Sequence, residues 1–312
     1  MALGSKKGGH MRIPKLTRTL LLTFGCTAML VVACGGEGMR TLDLDFTGVD
    51  PLSNDYHYEG WAIINGEARS TGKFNLDAAG DFFTVGGVEI PNGEFDVDFD
   101  LDDATVIVIS IEPAGDTDAI PSDTKFLAGD VVGDDADLTV AATQALGDDF
   151  TTSTGKVILA TPTNGSGTNE LSGIWFLDLG SGSPEVGLSL PTLPTGWKYE
   201  GWAVISGQPV TSGKFTAVDM ADESAPYSGP QPGPPFPGED YLENAPAGLV
   251  FPTDLSGDIV VISVEPDPDD DTAPFVLKPL VYQLPTPAQD HFTYDMDNQA
   301  GMTFPTGTAS LK

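Results

Sequence analysis

The sequence predicts an all-β protein of two tandem immunoglobulin-like β-sandwich domains, and three observations carry that prediction. Outside an N-terminal leader, no segment sustains a 3.6-residue apolar period, whereas short runs alternate or stay apolar over strand length. The 37 glycines and 25 prolines punctuate these runs about every 8 to 12 residues, which is the rhythm of a sandwich. The chain also repeats itself: YEGWAIINGEARSTGKF (58–74) returns as YEGWAVISGQPVTSGKF (199–215), with ten of seventeen positions identical.

In chain order, TLDLDF (41–46) alternates and reads as a half-buried strand. The repeated stretch reads as a hairpin closed by a two-residue type I′ turn at Asn65-Gly66, answered by Ser206-Gly207. Strict pairing from that turn sets Ile64 opposite Glu67 and Trp61 opposite Ser70. A one-residue bulge at Gly72 then turns Lys73 toward Glu59. The expectation is a cross-strand ion pair between Glu59 and Lys73, with its copy between Glu200 and Lys214. The hairpin signature is Tyr58, Glu59, Trp61, Lys73 and Phe74, repeated as Tyr199, Glu200, Trp202, Lys214 and Phe215, with both tryptophans expected to be buried.

EFDVDFDLDD (94–103) gives Asp96, Asp98 and Asp100 the first spacings of a calcium loop, but Leu101 stands where that loop needs glycine and Ile107 where it needs glutamate. It reads instead as a strand with one wet acidic face. VIVISIEP (106–113) and IVVISVEP (259–266) are continuous apolar runs, expected as central strands covered on both faces and stopped by proline. Pro121 and Pro274, Leu127 and Leu280, and Asp137 and Asp290 follow at the same offset. PDPDDDT (266–272) is a loop dense in carboxylates. The domains are expected at 41–180 and 181–312, with the boundary in DLGSGSPEVG (178–187) and a proline-rich insertion at 228–240 in the second, read as an ordered loop. SGIWFLDL (172–179) is expected to pair with VGLSL (186–190).

The N-terminus reads as an export leader. Lys6, Lys7, Arg12, Lys15 and Arg18 precede the apolar run LLLTFGCTAMLVV (20–32) with no acid among them, and a run this short falls below the roughly 20 residues a membrane helix needs. VVAC, ending at Cys34, resembles a lipobox, which implies a signal peptide over 1–33, a lipidated Cys34 and a short linker over 34–40. The membrane is then a partner through a lipid anchor. Gly35 stands where an aspartate would signal inner-membrane retention, so the expected location in a Gram-negative host is the outer membrane. Cys26 lies in the leader, which leaves neither a disulfide nor a thiolate metal site.

The formal net charge is −32, and removal of the leader takes five of the 14 Lys and Arg residues and none of the 46 acids. Nucleic acid and anionic lipid surfaces are therefore not expected partners. With 40% hydrophobic residues and 16 phenylalanines, the chain is still a folding sequence.

Catalytic signatures are hard to assemble. His57 becomes Lys198 in the second copy, His291 aligns with Leu138, and no G-x-S-x-G, H-E-x-x-H or P-loop occurs. No catalytic residue, metal ligand or cofactor is expected. The alternative is a hydrolase of envelope or extracellular polymer acting through Glu112 and Glu265, which would need two carboxyls in one open cleft.

The aromatic-x-x-Trp strand, the turn, the Gly-Lys-Phe return, VIVISIEPAG and the later FLAGD together resemble the extracytoplasmic C-terminal domain of anti-sigma-K factors. The resemblance covers about half of each copy. It implies a β-sandwich outside the cytoplasmic membrane, which in that family is tied through one membrane helix to a cytoplasmic zinc-associated domain that holds the sigma factor. Here no spanning helix, zinc pattern or cytoplasmic domain is read from the sequence, so direct sigma-factor binding is not expected. The reading is a non-catalytic envelope lipoprotein whose two modules bind or sense an envelope protein or ligand at a surface shared by both copies or at their junction.

Overall fold

The computed structural model describes residues 40–165, 167–268 and 271–312. The leader, Cys34 and most of the linker lie outside the described residues, as do two residues of the PDPDDDT loop. The first copy supplies β1 (Arg40–Thr47), β2 (His57–Ile64), β3 (Glu67–Leu76), β4 (Phe82–Thr84), β5 (Glu94–Val97), β6 (Ala104–Glu112), β7 (Lys125–Asp130) and β8 (Asp135–Thr139). There follow β9 (Thr154–Leu159), β10 (Gly173–Trp175), β11 (Leu177–Asp178), β12 (Glu185–Val186), β13 (Leu188–Ser189), β14 (Trp197–Ile205), β15 (Gln208–Phe215) and β16 (Gly238–Asp240). The chain ends with β17 (Ile259–Pro266), β18 (Leu280–Gln283), β19 (Tyr294–Asn298), a one-turn helix α1 (Ala300–Thr303) and β20 (Thr306–Leu311). No described helix is long and apolar enough to cross a membrane.

The strands form two large antiparallel sheets, ordered β4-β3-β2-β6-β7-β8-β20-β1-β5 and β15-β14-β17-β18-β19-β9-β10-β16, with β13 also on β9. Each sheet curls into a sandwich-like body. In the first, the rings of Phe74 on β3 and Phe95 on β5 lie 5.3 Å apart although these strands sit near opposite ends of the sheet order. One apolar core runs through both bodies, joined by an aromatic seam in which Phe126 of β7 lies 6.5 Å from Trp197 of β14 and 5.5 Å from Phe275.

The strand pairing divides the chain differently from a boundary at 180. β9 and β10, at 154–175, belong to the second sheet, and the last strand, β20, returns to the first, between β8 and β1. The equivalences are visible in register. Gly307 faces Leu138 and Phe46, while Gly155 faces Met296 and Leu188. Likewise Leu311 faces Leu42 and Leu159 faces Ile174. The place of β1 is therefore filled in the second sheet by two pieces, β10 and β13. The β11–β12 hairpin, in which Leu177 pairs with Val186, is an excursion between them. The Gly/Ser-rich stretch 178–187 lies in that excursion, and the crossing between bodies comes between β8 and β9. Placing β20 between β8 and β1 pairs both of their edges, which would otherwise be open to a passing strand.

Register also reassigns one equivalence. Ala128 faces Thr139, and its counterpart Val281 faces Asp297, so Asp295, not Asp290, takes the place of Asp137. The loop before β19 is longer than the one before β8. The acidic strand β5 alternates exposed and buried over Glu94–Val97, and farther along the same stretch Asp100 and Asp102 pair with Arg40 at 3.4 and 3.0 Å. The insertion 228–240 folds back over the second body. Gly229 donates to Thr163 Oγ1 at 2.7 Å, and Phe236 packs in a small outer cluster with Trp175.

Candidate functional site

The two hairpins have nearly the same geometry. Both turns place two successive residues at positive φ, Asn65 and Gly66 at 54° and 82°, Ser206 and Gly207 at 52° and 86°, as a type I′ turn requires. Pairing runs from Ile64–Glu67 to Trp61–Ser70 and then shifts by one residue, so that Gly60 faces Gly72 and Glu59 faces Lys73. The second hairpin shifts at the same place and sets Glu200 opposite Lys214. The extra residue is Thr71 or Ser212, and its hydroxyl folds over Gly60 or Gly201. Any Cβ at those glycines would collide with that hydroxyl. The core faces also match: Tyr58 stacks on Phe74 and Tyr199 on Phe215, with centroids 5.6 Å apart in each case. Each tyrosine hydroxyl donates to a carbonyl eight residues upstream, Asp50 at 2.8 Å and Pro191 at 2.7 Å.

The functional residues lie on the opposite face of the same strands, because strand side chains alternate. On β6, Ile107, Ile109 and Ile111 enter the main core, while Val106, Val108, Ser110 and Glu112 turn outward and are buried all the same. Trp61 belongs to a separate small cluster on that outer face, with Val106, Val108, Ala128 and Ala145. Its Nε1 donates to Ser110 Oγ at 2.8 Å, Ser110 donates to Glu112, and Glu112 accepts the Ser122 backbone N–H at 3.0 Å. The second copy repeats this chain: Trp202 donates to Ser263 at 2.8 Å, Ser263 to Glu265, and Glu265 accepts the Phe275 N–H at 2.9 Å. Glu112 and Glu265 are each 1% exposed. The carboxylates considered for hydrolysis thus fasten the loop after the central strand to the tryptophan.

Beside this chain sits a charged cluster. Glu59, 1% exposed, accepts from Ser70 and lies 3.3 Å from Lys73 Nζ. Lys73 also reaches the Asp116 carboxylate at 2.6 Å and the Asp116 carbonyl at 3.0 Å. The equivalent Glu200–Lys214 separation is 3.9 Å. Burial pushes the Glu59 carboxyl up, against the pull of Ser70 and Lys73. Burial would lower Lys73, but its bonds to Asp116 and Glu59 leave it raised, and the bond from Lys73 holds Asp116 below the usual carboxylate range. Asp116 is thus the stronger partner of the ammonium. His57 stands at the end of β2 in the same outward row, with its pKa lowered first by burial and then by the charge of Lys73.

Two cavities flank the segment that carries Leu52 and Tyr56. One, of about 220 Å³, lies between the copies. It is lined from the first copy by Asp50, Tyr56 and Ile111 and from the second by Glu265, Pro274 and Phe275. Ser53 Oγ donates to Asp271 at 2.9 Å and Tyr56 OH to the Pro268 carbonyl at 3.3 Å, tying its rims together. The other, larger and open, holds about 950 Å³ and takes His57, Lys73 and Asp116 into its wall. Sequence reading found the hairpin residues through their repetition. It missed Asp116 and Ser122, which arrive from a loop, and Tyr56, whose counterpart is the aromatic Trp197 two residues ahead of the repeated stretch. Comparison with protein-family models, with curated proteins and with solved structures finds no match for this chain.

Proposed function

We propose that this chain is a non-catalytic lipoprotein of the bacterial cell envelope, whose paired β bodies bind a ligand or an envelope protein at the cavities beside Tyr56. The basic leader and the lipobox ending at Cys34 support the anchor and the location. The observation that carries the binding reading is the cavity between the copies, a concave and largely apolar site to which both contribute, as binding sites at domain junctions do. Its volume suits an aromatic or aliphatic side chain, or a short segment, better than a large cofactor. Burial and full engagement of Glu112 and Glu265 supports binding over hydrolysis, because general acid–base work needs a carboxyl that reaches substrate. The resemblance of the hairpins and Glu-Pro strands to the anti-sigma-K extracytoplasmic domain supports a sensing role without direct sigma-factor contact.

The test fills the junction. Ala273 is exposed and lines the cavity, so Ala273→Trp blocks it with little demand on the core. Lipidated wild-type protein captured from native envelopes should retain a partner or small molecule that the variant loses. An identical set of captured species from both proteins would sink the proposal.

A further inference from the structure

His57 is 3% exposed, and neither ring nitrogen makes a hydrogen bond. A buried polar group left so destabilises the fold, and such a group calls for a missing partner. One ring nitrogen lies with a carboxylate oxygen of Glu59 and one of Asp116, all within 4.8 Å of one another. The Glu59 oxygen Oε2, turned toward Lys73 at 3.3 Å, is likewise buried with no hydrogen bond. One strand, β2, and the loop after β6 therefore direct one imidazole and two carboxylates at one point, with His57 and Asp116 in the wall of the larger cavity.

We propose that His57, Glu59 and Asp116 form a binding site for one first-row divalent transition-metal ion, and that Lys73 occupies the cation position until the metal displaces it. An imidazole with two carboxylates is a donor set that suits zinc and its neighbours, whereas calcium and magnesium prefer oxygen alone. Ligand atoms around a tetrahedral zinc stand about 3.3 Å apart, so donors that lie within 4.8 Å of one another need close by about 1.5 Å at most. The charge count favours the exchange: two carboxylates facing one ammonium leave a net negative charge, and a divalent ion removes it. Lys73, whose side chain is 29% exposed, has the cavity to swing into. Ser70, already bonded to Glu59, would orient that ligand from behind. In the second copy, Lys198 replaces His57 and its ammonium pairs with Glu223 at 2.9 Å and Asp267 at 3.3 Å. That body meets its local acids with a second ammonium instead of an ion.

The test is calorimetric titration of the full chain, stripped of metal by a chelator, with zinc chloride in excess calcium, which fills all-oxygen surface sites. The wild type should take up one zinc per chain, and X-ray absorption should show one imidazole in a shell of nitrogen and oxygen. His57→Gln should weaken binding by about 100-fold or more, since even outer-shell changes cost about 10- to 100-fold. Lys73→Met should bind zinc more tightly than the wild type. Should that variant fold poorly, the His57→Gln comparison and the absorption spectrum still decide. Uptake unchanged in His57→Gln would place the ion on the acidic surface, and no uptake by the wild type would leave the position to Lys73; either result overturns the proposal.

Discussion

The two hairpins share a skeleton and differ in the charges that surround it. Turn, bulge, tyrosine bond and Trp-Ser-Glu chain coincide to within about a tenth of an ångström in hydrogen-bond length, yet position 57 is an unpartnered histidine and position 198 a doubly paired lysine. What coincides is set by strand register and by the loop groups fastened to it, Ser122 and Phe275 among them. What differs is one position near the start of β2 and β14 and the loop acids beside it: Asp116 reaches Lys73, while Glu223 and Asp267 reach Lys198. Duplication copied the register and left loop chemistry free to diverge, which is why the first copy is the better candidate for a site.

The largest expected effect tests the shared skeleton. Trp61→Ala and Trp202→Ala should each cost about 3–5 kcal/mol in urea unfolding, in similar measure because both indoles are buried and bonded to equivalent serines, Ser110 and Ser263; a loss under about 1 kcal/mol at either would break the equivalence.

Next comes the ion pair. Lys73→Met leaves the buried Glu59 carboxylate without its cation, and such a change costs about 3 kcal/mol, at the lower end for a buried pair because the lysine is partly exposed. Restoration of stability on adding Glu59→Gln to that variant would sharpen the assignment, and no restoration would undo it.

A third experiment isolates the insertion, which only the second copy carries. Glu239 and Asp222 are pushed up by burial to about 8 and about 7. Carboxyls raised on folding stabilise the protein most below their unfolded values, and that contribution is lost as pH rises through their folded values. Stability should fall between about pH 4 and about pH 8 as the two carboxyls ionise. Glu239→Gln should flatten the slope; an unchanged slope would place the titrating group elsewhere.

The smallest effect is the sharpest contrast between the copies. Lys198→Met should cost about 1 kcal/mol or less, as partly exposed pairs do, whereas His57→Leu should be neutral or stabilise by about 1 kcal/mol by removing two unbonded nitrogens. Equal losses at both positions would mean that His57 has a partner of its own.

Much of the hairpin was legible before any coordinates. Asn65-Gly66 and Ser206-Gly207 fix a two-residue turn, and counting back from it puts Trp61 opposite Ser70 and, past a bulge, Glu59 opposite Lys73. The bulge was anticipated at Gly72, but the extra residue is its neighbour Thr71, because Gly60 offers the space its hydroxyl fills. The location of Trp61 was not legible. Burial was expected, but whether an outward strand face is covered depends on residues such as Ala142 and Ala145, far along the chain. Nor could Asp116 be found, since a loop aspartate in an acidic protein carries no mark of the lysine it will meet.

By itself, the sequence determined what local geometry and periodicity can encode: an all-β chain, two copies of one hairpin-and-strand unit, their internal register, and the alternation that sends Tyr58 inward and Glu59 outward. The tertiary structure alone decided which strands close which body. β20 lies beside β1, though more than 250 residues separate them, because two open strand edges are satisfied together there, and that long-range pairing leaves no local pattern. It also decided the site. His57, Glu59, Lys73 and Asp116 meet because a β-bulge and a loop after a central strand turn toward one point, and only the folded chain brings those two devices together.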